Sequence, residues 1–480
     1  MRVRRSMLSH LPFAAVMVGG VLLRVATLIG YPQPYLINDS TGYVFAAQVL
    51  HPQRGRQSGY ALFMRLIPDW HDLMSVVVVQ HVLGLLLGAG IYLLLVRRGV
   101  RHWLAALATV PVLLDPFQLN LEHYVLTDML SEVLLFAGLA ALALWRGLPL
   151  AAAATGGLLL GMAAVVRGIA LPVVFVAALL VLVGHARWRP VLALLAAAAL
   201  PIGAYATWYH HSYGRYSTGG FPTAIFYGRV ATFVDCGSID LPADERALCP
   251  TEPRGKRLAV DHYTWSADSP LHRFVPADGK DPEAVVHDFS IRVVRQQPLS
   301  WVDATLYDVG RGFVPRRTLA WGGRAPNPWQ FALAVKRVGK VRLLTGDPDP
   351  AVDLTFARPL TSYNAVYLPG PLYAAGLLLG LLAIAGVGRA TRSGERFPVA
   401  LFTLSTLVLL IATAAVAGFS WRYQLPQLAL VPPAAALAAT AIGRSGDPRD
   451  GRTLRESLAG LRHHRRESRE QEGDSDAGDG

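Results

Sequence analysis

Charged side chains are scarce in this chain. They make up 16% of its 480 residues, whereas about 25% is usual for a soluble domain. Hydrophobic residues reach 52%, and the charges crowd into short segments between long apolar stretches. This composition excludes a single soluble globular enzyme and a disordered chain. It predicts a polytopic membrane protein.

Cysteine is scarcer still, with two residues in the whole chain. Cys236 and Cys249 both lie in the one long polar stretch, and the absence of any CxxC pair argues against a zinc site. In an oxidising compartment the two would close a short disulfide loop. Two free thiols are the alternative.

The formal net charge of +12 would in another composition suggest a nucleic acid partner. Here the basic residues flank the hydrophobic stretches, where the orientation of membrane spans requires them. We therefore predict no binding of nucleic acid.

Ten apolar stretches are candidates for membrane spans, each of which needs about 20 residues. They are 11–29, 73–96, 103–114, 125–145, 148–166, 169–183, 190–207, 366–387, 397–418 and 424–442. The third and the sixth are short, and each could instead be re-entrant or merge with a neighbour. We expect the first to be an uncleaved anchor, with a cleaved signal peptide as the alternative.

The loops between these spans contain arginine on alternate sides of the membrane, as the positive-inside rule requires. With a cytoplasmic N-terminus, all the inner loops and the C-terminal tail carry arginine.

The expected fold is an all-α polytopic membrane bundle of about ten helices with one extracytoplasmic mixed domain. The expected divisions are an N-terminal transmembrane module with the first outer loop (1–207), an extracytoplasmic domain (208–365), a C-terminal transmembrane module (366–442) and a disordered cytoplasmic tail (443–480). The protein would be a multi-pass protein of the plasma membrane with both termini cytoplasmic.

The first outer loop carries a carboxylate close to the end of a span. Asp39 could accept a proton from an attacking sugar or lipid hydroxyl. The spacing alone favours a different role, in which Asn38, Asp39 or Ser40 caps a following helix.

Several short motifs occur in an order that resembles a known family. They are Asp39 with Tyr43, Gly59-Tyr60 before the second span, Val125-Leu-Thr-Asp128, Val166-Arg167, and Trp421-Arg422-Tyr423 followed by Pro426. Together they resemble the membrane glycosyltransferases of the GT-C superfamily, in particular the polyprenyl-phosphate-sugar-dependent group. That group includes protein mannosyltransferases and the lipid A aminoarabinose transferases.

The resemblance implies an inverting sugar transfer at the outer membrane face, from a polyprenyl-phosphate donor to a glycan, lipid or protein acceptor. Asp39 would be the catalytic base, and Arg167 and Arg422 would bind the donor phosphate. The expected substrate-binding residues are Tyr43, Tyr60, Asp128 and Tyr423.

The chain also departs from the family pattern. Asn38-Asp39 stands where relatives often have two acids, and Gly168 stands where they often have proline. A Mg²⁺ or Mn²⁺ site at Asp39 and Asp128, with Glu122 as a further oxygen ligand, is therefore an open expectation. The alternative function is a non-catalytic lipid-linked-sugar transporter or an assembly scaffold.

Arg24 lies inside the first span and needs a partner for its charge. Asp128 and Glu132 of the fourth span are the candidates for that partner.

Overall fold

The computed structural model describes residues 8–145, 147–185, 187–219, 223–276, 279–317, 329–337, 341, 349–388, 390 and 394–443. In this part of the chain the secondary structure is helical, with one isolated β-bridge between Tyr35 and Tyr124. The tail predicted for 443–480 lies outside the described residues except for Gly443.

The N-terminal part of the bundle is built from eleven helices within the described residues. They are α1 (Leu11–Gly30), α2 (Asn38–Val49), α3 (Gly59–Arg65), α4 (Leu73–Arg97), α5 (His102–Leu107), α6 (Val110–Leu114), α7 (Pro116–Glu122), α8 (Asp128–Ala143), α9 (Leu150–Val166), α10 (Leu171–His185) and α11 (Trp188–Tyr213). Helix α11 continues six residues past the domain boundary expected at 207.

The polar segment and the C-terminal part contribute nine further described helices. They are α12 (Thr223–Ala231), α13 (Val260–Trp265), α14 (Pro270–Arg273), α15 (Pro282–Gln296), α16 (Pro298–Arg311), α17 (Leu354–Tyr363), α18 (Gly370–Ala385), α19 (Arg396–Ala417) and α20 (Leu425–Gly443).

Six helical stretches in the described part of the chain are long and apolar enough to cross a membrane. They are Leu11–Gly30, Leu73–Arg97, Gly168–His185, Trp188–Tyr213, Arg396–Ala417 and Trp421–Gly443. A seventh crossing results if His102–Leu114 and Pro116–Glu122 form one bent span. The helices at the other three predicted spans, α8, α9 and α18, have 16, 17 and 16 residues. The total of ten spans stays a prediction.

The bend after α6 has a local cause. Asp115 precedes Pro116, and the proline ring disfavours a helical backbone in the residue before it. Asp115 is accordingly extended (φ −67°, ψ 125°), and its side chain accepts a hydrogen bond from the Phe117 N–H at 2.9 Å, which caps α7. The two helical pieces meet at 50°. Every residue of Pro116–Glu122 is buried, so this stretch packs inside the bundle.

The segment after α11 has a hydrophobic core of its own. Tyr227, Val230, Tyr263 and Phe289 are among the buried residues that α12, α13 and α15 contribute to it. A disulfide joins Cys236 and Cys249, whose Cα atoms are 6.3 Å apart. Phe331, Ala357 and Leu360 belong instead to a cluster with Tyr31 and Tyr35, at the C-terminal end of α1.

This core docks on the end of α19. The Trp301 Nε1–H donates a hydrogen bond to the Ala415 carbonyl at 2.8 Å. The Arg311 guanidinium lies over the Phe419 ring, 4.4 Å from its centroid. The polar segment is thereby held against the chain that leads from α19 to α20.

The buried Arg24 has a different partner from the expected ones. Its Nη2 lies 2.6 Å from a carboxylate oxygen of Glu122, and its Nε lies 2.9 Å from the other. His81 Nδ1 lies 2.8 Å from the same Glu122 carboxylate. Our expectation that Asp128 or Glu132 would pair with Arg24 was therefore wrong. Glu122 comes into reach because α7 folds back into the bundle beside α1.

Candidate active site

Four of the predicted site residues converge at one end of the bundle. Asp39 lies in the first turn of α2, and Asp128 is the first residue of α8. Arg167 directly follows α9, and Arg422 lies in the 3₁₀ turn Trp421–Gln424 that leads into α20. Their chain positions are far apart, so only the packing of the helices brings them together.

Asp128 joins the two arginines. Its Oδ1 accepts a short hydrogen bond from Arg167 Nη1, and its Oδ2 accepts one from Arg422 Nε at 2.7 Å. The Asp128 side chain is 0% exposed, whereas that of Arg167 is 19% exposed. A buried carboxylate therefore fixes two guanidinium groups side by side. Arg167 Nε and Nη2 and Arg422 Nη2 make no hydrogen bond within the described residues.

Asp39 lies on the more open side of this pair. Its Oδ2 accepts a hydrogen bond from Arg422 Nη1 at 2.8 Å, and its Oδ1 lies 3.4 Å from Arg56 Nη2. The side chain is 33% exposed. Burial alone would raise the pKa of the Asp39 carboxyl, but the positive charges of Arg422 and Arg56 outweigh it and lower the pKa below its usual value.

The helix-capping role that the spacing favoured belongs to another residue. The Ser40 hydroxyl accepts a hydrogen bond from the Ile37 N–H at 3.1 Å at the start of α2. The Asp39 carboxylate is directed to the arginines instead.

Aromatic rings border the charged cluster. The Arg167 guanidinium lies over the Tyr423 ring at 5.3 Å, and the Arg56 guanidinium lies over the Tyr43 ring at 5.4 Å. Tyr60, by contrast, is fully buried beneath Tyr43, and its hydroxyl donates to Gln80 Oε1 at 2.9 Å. The structure thus places Tyr43 and Tyr423 at the cluster and Tyr60 in the supporting core.

The chain turns at each arginine for a local reason. Arg167 is extended (φ −151°, ψ 109°), which ends α9 and begins the 3₁₀ turn Gly168–Ala170. Gly418 ends α19 with φ +71° and ψ −160°, a conformation that a residue with a Cβ rarely adopts. This glycine lets the chain reverse and place Arg422 beside Asp128.

Gly59 is fixed by a close approach of two backbones. A Cβ at this position would lie 2.6 Å from the Val165 carbonyl oxygen, at the end of α9. The loop that carries Arg56 is thereby packed against the residues that precede Arg167.

We expect Gly59→Ala to lower the free energy of unfolding by about 1–3 kcal/mol, because neither backbone can move without disturbing a helix. Thermal unfolding of the purified protein measures this change. Gly203→Ala is the matched control, since Gly203 lies within α11 and nothing lies within 4 Å of its Cβ position. The control should be neutral or stabilising, and equal stability of the two variants would contradict the prediction.

The carboxylates expected to bind a divalent cation are paired with arginines in this structure. All four carboxylate oxygens of Asp39 and Asp128 lie against arginine nitrogens. Glu122, the third expected ligand, is bound to Arg24. Among the described residues no group of three or more His, Cys, Asp or Glu side chains gathers in a way that could hold a metal. The Mg²⁺ or Mn²⁺ site stays a prediction.

Three residues at the site were not identified from the sequence. Arg56 pairs with Asp39, and the Trp329 ring lies 5.8 Å from the Arg422 guanidinium. Asp261, in the first turn of α13, lies close enough to Asp39 and Arg422 for their charges to affect its pKa. The two arginines at 54 and 56 in the first loop are a sequence pattern that could have identified Arg56. No sequence pattern marks Trp329 or Asp261.

No protein-family model matches the chain, and no curated protein gives a significant match. Two solved structures align with it. The apo crystal structure of the Archaeoglobus fulgidus oligosaccharyltransferase is 13% identical with a TM-score of 0.43, over 93% of this chain and 54% of that chain. The archaeal oligosaccharyltransferase AglB from Archaeoglobus fulgidus, in complex with an inhibitory peptide and a dolichol-phosphate, is 14% identical with a TM-score of 0.40, over 94% of this chain and 54% of that chain. This chain spans about half the length of those two chains, and TM-scores this low do not establish a common fold.

Proposed function

We propose that this protein is a membrane glycosyltransferase of the GT-C type, which moves a sugar from a polyprenyl-phosphate donor to an acceptor at the outer face of the plasma membrane. The observation that carries the proposal is the pair Arg167 and Arg422, held side by side by the buried Asp128. Asp39, a partly exposed carboxylate, lies directly beside that pair.

The arginine pair is suited to a lipid phosphate. Guanidinium groups bind phosphate through two parallel N–H donors, and their charge persists at all physiological pH values. Arg167 follows the end of the apolar helix α9, and Arg422 precedes the apolar helix α20. A phosphate bound between them would lie at the end of the bundle, with its polyprenyl chain alongside the apolar helices.

The chemistry of the proposed step follows from these positions. Asp39 takes the proton from an acceptor hydroxyl while that oxygen forms a bond to the anomeric carbon. The bond from the anomeric carbon to the phosphate oxygen breaks, and its electron pair leaves with the phosphate. The arginines stabilise the leaving phosphate, and attack opposite to it inverts the anomeric centre.

Donor binding would also change the basicity of the Asp39 carboxylate. In the structure, Arg422 Nη1 is bonded to Asp39 Oδ2. A phosphate that takes up hydrogen bonds from Arg422 weakens this pairing, because the guanidinium charge is then shared. The carboxylate becomes more basic when the donor is present.

A transfer assay tests the proposal. Membranes that carry the wild-type protein should transfer label from one of a set of labelled polyprenyl-phosphate sugars. Arg167→Gln should raise the donor KM and reduce transfer about tenfold or more, the effect of losing a hydrogen bond to a charged group. Arg54→Gln is the matched control, since Arg54 lies over the Tyr213 ring in the same outer loop as Asp39.

Two results would contradict the proposal. If the wild-type membranes transfer none of the labelled sugars, the protein is a transporter or an assembly scaffold. If Arg167→Gln and Arg54→Gln transfer equally, the arginine pair does not bind the donor phosphate.

A further inference from the structure

A cavity lies at the end of the bundle opposite the active-site cluster. Its volume is about 590 Å³, and it opens between the connection that precedes α9 and the connection that precedes α11. Helix α9 has 17 residues, so its start is about 25 Å from Arg167 at its other end. The proposed transfer step does not use this cavity.

The cavity forms where two parallel helices begin. A Cβ at Gly157 of α9 would meet the Leu194 backbone of α11. One turn further on, a Cβ at Gly161 would meet the Ala198 backbone. Both positions advance together along the two helices, so α9 and α11 run in the same direction in backbone contact. Their starts therefore lie side by side.

The cavity carries positive charge that no acid of the described residues balances. Arg187 and Arg189 line it, are exposed, and form no hydrogen bond or ion pair with the described residues. No aspartate or glutamate occurs between positions 133 and 234, so neither connection supplies a counter-charge. Glu395, which precedes α19 at this end of the bundle, is buried and bonded to Arg98. The two guanidinium groups are thus available to an anion from outside the chain.

The rim of the cavity has the composition of a membrane interface. Leu148 and Pro190 line the cavity and are buried, whereas Trp145 and Trp188 line it and are exposed. Tryptophan is enriched at membrane interfaces, where its ring lies among acyl chains and its N–H meets the headgroups. Exposed leucines follow along both helices, at Leu150, Leu158, Leu192 and Leu200.

We propose that this cavity binds the headgroup of an anionic membrane phospholipid, whose phosphate accepts hydrogen bonds from Arg187 and Arg189. Arginine binds phosphate through two parallel N–H donors, and basic pockets between membrane helices hold lipid headgroups of this kind. The acyl chains lie against the exposed leucines of α9 and α11. The inference does not depend on the proposed glycosyl transfer.

A binding titration tests the inference. Labelled phosphatidylglycerol is added to the purified, delipidated full-length protein in a neutral detergent, and labelled phosphatidylcholine serves as the neutral comparison. The variant is the double substitution Arg187→Gln with Arg189→Gln. The matched control is Arg97→Gln with Arg101→Gln, since these two arginines are exposed in the connection after α4 and do not line the cavity.

We expect the Kd for phosphatidylglycerol to rise about tenfold or more in the Arg187 and Arg189 variant, because each arginine near an anionic headgroup contributes roughly a factor of five. The control should retain the wild-type Kd, and wild type should bind phosphatidylcholine far more weakly. Both variants should unfold at the wild-type temperature in lipid-free detergent.

A second measurement locates the lipid without changing any charge. Phosphatidylglycerol with brominated acyl chains should quench the tryptophan fluorescence of the wild type, and it should quench less in Trp145→Phe with Trp188→Phe. Equal quenching of these two proteins would place the lipid elsewhere and overturn the inference.

Three results of the titration would also overturn the inference. Equal Kd values for the two lipids in wild type would show that the cavity does not select a charged headgroup. An equal loss of affinity in the control would show that the arginines attract lipid only as part of the general surface charge. Displacement of the lipid by glycerol phosphate at the same concentration would show that the site binds free phosphate instead.

Discussion

Replacing Asp39 with Asn is expected to reduce sugar transfer by about 100-fold to 10,000-fold, the contribution typical of a general base. Asn preserves the size of the side chain and can still accept a hydrogen bond from Arg422. It cannot take the proton of the acceptor hydroxyl, so the attacking oxygen remains a weak nucleophile. Initial rates of transfer from a labelled polyprenyl-phosphate sugar in membranes measure the effect.

The structure of the variant should remain close to that of the wild type. Asp39 is 33% exposed, and ion pairs with this degree of solvent access contribute about 1 kcal/mol or less to stability. The unfolding temperature of Asp39→Asn should therefore be close to that of the wild type, and the variant should still bind labelled polyprenyl phosphate. Transfer within twofold of wild type would refute the catalytic role, whereas an equal loss of transfer and lipid phosphate binding would mean that Asp39 only orients Arg422.

The second large effect is expected in the buried network around Glu122. Arg24 donates two hydrogen bonds to Glu122, whose side chain is 0% exposed, and the Arg24 side chain is 3% exposed. Glu122→Gln leaves the guanidinium without a counter-charge in the bundle. Removal of one partner of a buried ion pair costs about 3–5 kcal/mol. The unfolding temperature of the purified protein and its yield from membranes should both fall clearly.

A double variant provides the control for this prediction. Replacement of both partners by apolar residues removes the unpaired charge together with the pair, and such exchanges are often neutral. Arg24→Met combined with Glu122→Leu should therefore be more stable than Glu122→Gln alone. If Glu122→Gln unfolds at the wild-type temperature, the pair contributes little and Arg24 is neutralised by other groups.

The positions of the helices could be predicted closely because apolar runs are a local property of the sequence. The first predicted span, 11–29, corresponds to Leu11–Gly30, and the span 397–418 corresponds to Arg396–Ala417. Local pattern also located Asp39, Arg167 and Arg422 at helix ends. The bend at Asp115 was missed, although the following proline is a recognised signal for it.

The pairing of charges could not be predicted in the same way. Arg24 was expected to meet Asp128 or Glu132, yet it meets Glu122, because α7 folds back into the bundle. Asp128 was expected to bind substrate or metal, and the structure shows it joining Arg167 and Arg422.

The sequence by itself determined that this is a helical membrane protein, where its apolar helices run and which ionisable residues stand at their ends. Burial in lipid requires long apolar runs with internal hydrogen bonds, and such runs are visible in a single chain. Only the tertiary structure decided which charges meet, since Arg422 and Asp39 are 383 positions apart and 2.8 Å from each other. Contacts across such separations depend on the packing of every helix between them, and no local pattern records that packing.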